Sequence, residues 1–298
     1  MKTDNYHIMR RILSFISIGV LTSLSSVAQG DAGKLKMDQG GIYTVQVQLN
    51  NTIAQQAMGQ AINFTVAGTA THNYKVTNAS DDFYSLHHEA QKITFQFDGM
   101  GTKKNFDSDN KKDINGEWGE PVRKILAKKY DLIMSSTGTV MKVNPESFPA
   151  EVVDDRLAIV FNMLKDLTSV SEPPKKGDAS IFKILPEKPV VVGDTWTSQA
   201  STASEKTSTT YTLESIGDST MTVSFKGNGT SQIKATLMGM ETLTKINSVL
   251  SGTVILNKAT GIIKEKSTVV ESTGTMDLMG NSTPITSKST IKLVVTPS

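Results

Sequence analysis

Histidine is the first place to look for chemistry, and beyond the N-terminal leader the chain has three: His72, His87 and His88. Neighbouring residues of a strand point to opposite faces, so His87 and His88 cannot share one ion unless the strand bulges. No His-x-His or His-Glu-x-x-His spacing exists, and the three read as surface histidines on strands. Asp107, Asp109, Asp113, Asn115 and Gly116 make an oxygen-rich loop of the kind a hard cation needs. In every EF-hand register, however, Lys111 or Lys112 falls on a ligand or glycine position, so a hydrated acidic loop is expected instead.

Nucleophiles fare no better. There is no cysteine and no Gly-x-Ser-x-Gly elbow. Ser-x-x-Lys occurs at Ser108/Lys111, Ser180/Lys183, Ser231/Lys234 and Ser289/Lys292, but residues three apart share a face on a helix and point apart on a strand. The pairs Asp81-Asp82 and Asp154-Asp155 suit a turn and a helix cap. Gly227-Asn228-Gly229 lies between strand-like runs and opens no helix, so no phosphate loop is visible. The expectation is a protein with no catalytic residues, no metal and no cofactor, hence not an enzyme.

The elements around these residues are mostly strands. Gly252 to Val270 reads as a β-hairpin, two β-branched runs joined through Asn257-Lys-Ala-Thr-Gly261, with glycine where positive φ is needed. A sister copy runs from Tyr130 through Thr137-Gly138 to Val143. Tyr43, Val45, Val47 and Leu49 alternate with polar residues, the period of a strand with one dry face. Ile62, Phe64 and Val66, continuing through Tyr74 and Val76, form a second strand. Phe83 to Leu86 and then Ile93, Phe95 and Phe97 differ in parity, which predicts a bulge near 90–92. Strand signal is nearly continuous after Thr207.

Two helices are expected in the middle of the chain. One starts at Glu120-Pro121 with an apolar face of Val122, Ile125, Leu126 and Tyr130. The other starts at Asp154-Asp155 and carries Leu157, Val160, Phe161, Leu164 and Leu167 at helical spacing. Pro173-Pro174 and Lys175-Lys176-Gly177 mark a linker over 169–180. Met-Gly steps recur at Met58-Gly59, Met238-Gly239 and Met279-Gly280, and with the paired hairpins they suggest two related halves. The fold class expected is therefore mainly β: a curved antiparallel sheet or open half-barrel in two related halves, with two short amphipathic helices. Its divisions are a signal peptide at 1–28, an N-terminal β half at 29–168, the linker, and a C-terminal β half at 181–298, the two halves able to form one continuous domain.

The leader is the basis of the localisation. Arg10 and Arg11 precede an apolar stretch from Ile12 to Leu24, and Ser26-Val27-Ala28 supplies small residues for cleavage. The stretch is too short and too polar for a membrane span, which needs ~20 apolar residues. Export to the periplasm or the outside is expected, with Gln29 to Gly41 as a mobile lead-in. The leader carries Lys2, Arg10 and Arg11 against Asp4, so its removal takes the formal net charge from +2 to zero. That excludes the basic surplus nucleic-acid binding uses. Lysines from Lys103 to Lys129 are interleaved with Asp107, Asp109, Asp113, Glu117 and Glu120, the pattern of a solvated mixed-charge face. An exported chain without cysteine has no disulfides and must rely on an ordinary core.

The run Leu185-Pro186 to Pro189-Val190 and Val192-Gly193-Asp194-Thr195-Trp196, the paired Thr-Gly hairpins and Phe106-Asp107-Ser108 resemble an uncharacterised family of exported β-rich proteins of Bacteroidota, a domain of unknown function. That resemblance implies a β-rich fold and brings no activity and no site residues. By architecture alone, strands closed by two central helices are similar to the half-barrel of periplasmic lipoprotein carriers. If the sheet curls, its inner face would leave an apolar groove lined by Phe95, Phe97, Val140, Val254 and Leu256, with Phe161 and Leu164 above. The plainer alternative is that these side chains fill one another's space. The function expected is non-catalytic binding of a lipid or a lipidated protein, or else a structural or surface-assembly role in the envelope, with neither a nucleic-acid partner nor integral membrane insertion.

Overall fold

The computed structural model describes residues 33–57, 60–99, 101–149, 155–202, 204–237, 240–278 and 281–298. The leader and the three Met-Gly steps lie outside the described residues. Twelve strands make one antiparallel sheet: β1 (Ile42–Ala57), β2 (Gln60–Ala79), β3 (Phe83–Gly99), β4 (Thr102–Asp107), β5 (Lys129–Ser135), β6 (Val140–Asn144), β7 (Thr195–Ser201), β8 (Glu205–Ile216), β9 (Thr220–Leu237), β10 (Met240–Asn257), β11 (Ile263–Leu278) and β12 (Asn281–Pro297). Their order is β6-β5-β3-β2-β1-β12-β11-β10-β9-β8-β7, with β4 also on β3. The sheet is not closed: β6 and β7 are its outer edges. The mainly β expectation holds. The first and last strands pair at the centre, Val47 opposite Leu293, and this joins both halves in one sheet. The sister hairpins fall at different places in it, β5–β6 at one edge and β10–β11 inside the C-terminal half.

Alternation sets the inner face. On β1 the buried residues are Tyr43, Val45, Val47 and Leu49, and on β2 they include Phe64, Val66, Ala70 and Tyr74. The parity change in β3 is a bulge, as expected: Thr71 pairs with Lys92 but His72 with Ala90, leaving Gln91 over. Both hairpin glycines have positive φ, 83° at Gly138 and 68° at Gly261.

Four short helices lie on one side: α1 (Lys111–Ile114), α2 (Gly119–Ala127), α3 (Asp155–Met163) and α4 (Lys165–Thr168). α2 and α3 are the two expected helices, each accompanied by a one-turn partner. Tyr130 is not on α2 but near the start of β5, and the helix expected to run to Leu167 breaks at Leu164. α4 packs on β1 and β2, where Gly68 lets Leu167 approach: a Cβ there would lie 3.0 Å from Leu167 Cδ2.

The sheet curls over these helices. β8 is five strand spacings from β1, about 24 Å along the sheet. Yet Lys165 of α4 donates to Glu205 of β8 at 2.7 Å, which a flat sheet would put out of a lysine's reach.

Two segments expected to be loose are fastened. In the lead-in, the Leu35 N–H donates to Ser136 O at 2.7 Å and the Lys36 N–H to Thr260 O at 2.8 Å, so the chain ties the two Thr-Gly turns together. Leu35 and Met37 are buried, and Tyr84 Oη donates to Leu35 O at 2.7 Å. The 169–180 segment, read as a linker, begins with a 3-10 turn at Ser169–Ser171. It then docks on β6, with Val140 N–H to Asp178 O at 2.9 Å and Gly177 N–H to Val140 O at 2.8 Å. Its continuation plugs the curl: Phe182 is fully buried, edge-on to Tyr74 at 5.2 Å.

Candidate functional site

Of the three histidines expected at the surface, one is there and two are not. His87 is on the outside, its Nδ1 2.7 Å from Asp131 Oδ1. His72 and His88 are fully buried, with His72 Nδ1 3.2 Å from His88 Nε2. His88 stacks on Tyr130 with ring centroids 4.3 Å apart. Tyr74 Oη lies 2.9 Å from Tyr130 Oη, and Tyr130 Oη donates to Val170 O at 3.1 Å. The chain therefore runs Tyr74 to Tyr130 to Val170, and both hydroxyl protons are committed.

The environment keeps the cluster neutral. Burial holds His72 down at about 4. Burial, then the neighbouring His72 and His87, hold His88 at about 3. Burial pushes both Tyr74 and Tyr130 up. Among the described residues His72 Nε2 and His88 Nδ1 have no hydrogen-bond partner. Whichever imidazole donates to the other, one ring N–H and one ring nitrogen stay unpaired, a cost of about 1–3 kcal/mol per group.

Above this cluster lies a cleft of about 410 Å³ between the inner segment 166–181 and the sheet. Its floor is Val47, Tyr74, Tyr130, Leu132, Ile291 and Leu293; Val170, Pro174 and Ile181 face them. Asp166, Ser169, Glu172, Thr268 and Lys266 supply the polar part of the lining. Burial raises the Asp166 carboxyl, and Glu172 is engaged by Lys128. Neither imidazole lines the cleft.

The seven residues expected to line a groove are placed elsewhere. Phe95 and Phe161 meet at 6.4 Å, and Phe95 and Phe97 both pack on Trp118. Val254 and Leu256 are on β10, five strands from β3, and are fully buried, as Val140 and Leu164 nearly are. All seven pack with the core, Phe161 at its margin, and none lines this cleft, though Phe95 borders a separate one of about 450 Å³ and Phe97 one of about 340 Å³. Tyr74 and Tyr130 were legible as apolar-face residues, with no hint that they meet. In the acidic loop Asp107 and Asp109 pair with Lys92 at 3.1 and 2.6 Å, and Asp113 Oδ2 accepts the Asp107 N–H at 3.1 Å. Among the described residues no group of three metal-ligating side chains exists. The interleaved charges pair on the surface as expected, Lys103 with Asp98, Lys124 with Glu120 and Lys129 with Glu89.

Residues 169–263 match the model of a family of unknown function, DUF6263. The match agrees with the resemblance to an uncharacterised family and covers about a third of the chain. No curated protein matches. Among solved structures, one titled for lipid–protein interactions in lipovitellin is similar at 12% identity and a TM-score of 0.47, over 88% of this chain and 26% of that one. This chain thus spans about a quarter of that protein. OpdQ of Pseudomonas aeruginosa is similar at 8% identity and a TM-score of 0.22, over 87% of this chain and 100% of that one. Among the described residues no helix is long and apolar enough to cross a membrane.

Proposed function

We propose that this is an exported, non-catalytic protein, periplasmic or extracellular, that holds an apolar ligand or the acyl chain of a lipidated partner against the inner face of its sheet. The observation that carries the reading is the cleft itself: a volume in the range of ligand sites, with an apolar floor of Val47, Leu132, Ile291 and Leu293. The leader sequence supports export. Against catalysis, the depressed histidines stand outside the cleft, and the two tyrosine hydroxyls that face it are hydrogen-bonded and hard to ionise.

The experiment is to purify the leader-free chain without detergent, extract it with organic solvent and identify what is released by mass spectrometry. One acyl-bearing species at near-equal molar amount is expected. An empty extract from a protein that also fails to bind an alkyl probe would sink the proposal.

A second reading, structural or surface assembly, draws on the free edge. The start of β6 is covered by 177–180, whereas β7 has no outer neighbour among the described residues, and it carries no charge, no proline and no buried residue. Val191 and Val192 are exposed just before it. Unpaired edges invite another strand. A photo-crosslinker at Thr197 in cells is expected to capture one protein partner, or a second copy, under this reading; capture of nothing counts against it.

A further inference from the structure

One row of cross-strand neighbours runs across the inner face from β8 to β3: Leu213, Val223, Val254, Lys266, Leu293, Val47, Ala70 and Ile93. Seven of the eight are apolar and buried. Lys266 alone carries a charge. It faces inward because β11 has an irregularity: Leu256 pairs with Ile263 and Ile255 with Glu265, so Lys264 is left over and the parity after it is reversed.

Lys266 is half-buried, and a charge drawn out of water is normally paired, because losing hydration costs an ion free energy. Lys266 has no carboxylate within 4.0 Å among the described residues. Among the described residues its one partner is the ring of Phe225, 5.3 Å from Nζ to the centroid. Of the acids in the cleft, Glu172 is held by Lys128, and Asp166, next to Lys165, makes no ion pair with Lys266 among the described residues. Burial depresses the ammonium's pKa, as expected for a cation awaiting a counter-charge.

Resting on the binding function proposed above, we infer that the cleft's ligand is a single-chain amphiphile with an anionic head, carboxylate or phosphate, and that Lys266 holds that head. The chain would lie on Val47, Leu293, Ile291 and Leu132, and the head would sit at the β11 side. Of the two arms of Lys266's environment, the aromatic ring stabilises the free cation and the anion replaces its lost hydration. A cleft of about 410 Å³ suits one short chain.

The test is calorimetric titration of the leader-free chain with decanoate, decyl phosphate and decan-1-ol, on wild type, Lys266→Met and Lys266→Arg. Wild type is expected to bind at least one anion tenfold or more tighter than the alcohol. Lys266→Met should lose that preference while keeping the alcohol's affinity, and Lys266→Arg should retain it. Methionine is close in length and removes a desolvated charge, so its melting temperature should not fall. Preference for decanoate points to a free fatty acid, and for decyl phosphate to a phospholipid-derived head. Equal affinity for alcohol and anion in wild type, or an anion preference that survives Lys266→Met, overturns the inference and leaves the apolar-cleft reading standing. Binding of none of the three probes overturns both.

Discussion

Between pH 7 and pH 4 the protein is expected to lose on the order of 5 kcal/mol of stability, most of it through His72 and His88. In the unfolded chain an imidazole protonates near pH 6.5. In the folded protein the two do so only at about 4 and about 3, because burial disfavours the charged form. Below pH 6.5 the unfolded state therefore binds protons that the folded state refuses. Stability is complete above pH 6.5 and drains away as the pH falls towards the folded values. Exposed carboxylates such as Asp107, Glu187 and Glu271 are held down by hydrogen bonds and lysine partners. They add their loss only below about pH 4.5, near the unfolded carboxylate values. Asp166, raised by burial, works weakly in the opposite sense. The window from 6.5 to 4.5 thus belongs to the histidines. Urea unfolding at pH 7.5, 6.0, 5.0 and 4.5 should show the midpoint falling steadily. The double variant His72→Leu/His88→Phe should be flat across that window and no less stable at pH 7.5, since both members of an under-satisfied pair are removed together. His72→Leu alone should be worse than the double variant, because it strands His88 Nε2. A wild type with a flat profile would mean that the buried pair exchanges protons with water.

Burial of these histidines was within reach of the sequence. Phe64, Val66, Ala70 and Tyr74 share one parity, and His72 has it too; Leu86, His88 and Ala90 do the same on β3. The alternation that located both strands also placed the two rings inside, and only the habit of reading histidine as a surface residue put them outside. Other features were not legible for physical reasons. Lys266 follows an irregularity in β11 that shows only when β10 is laid beside it. The segment 169–187 has no period of its own: Phe182 and Ser171 are buried because the sheet curls round them, and curl is a property of the whole sheet. The five strand residues that alternation puts on the inner face, Phe95, Phe97, Val140, Val254 and Leu256, are buried. What alternation cannot say is whether facing side chains meet, and Phe95 and Phe97 meet Trp118 while Phe161 meets Phe95.

Gly252→Ala is expected to cost roughly 3 kcal/mol, the upper end for an overpacked interior site. A Cβ there would stand 2.0 Å from the Ser267 carbonyl oxygen and 2.5 Å from Phe225 Cζ. The backbone cannot yield easily, because Gly252 is held between flanking pairs, Ser251 with Val269 and Thr253 with Ser267. Phe225 is the cross-strand neighbour of Gly252 on β9, and its ring occupies the space a side chain would take. Lys266 Nζ lies over that same ring. The missing side chain thus seats the aromatic that seats the lysine, and the variant should weaken decanoate binding as well as stability. Gly229→Ala is the control: it lies on the same face of β9, and its nearest neighbour would be an ordinary 3.6 Å away. Fewer unfolded conformations should leave it neutral or up to about 1 kcal/mol more stable. Urea midpoints measured side by side decide the matter. If Gly252→Ala unfolds with Gly229→Ala, strands β10 and β11 have slack that their close pairing denies, and the support for Lys266 lies elsewhere.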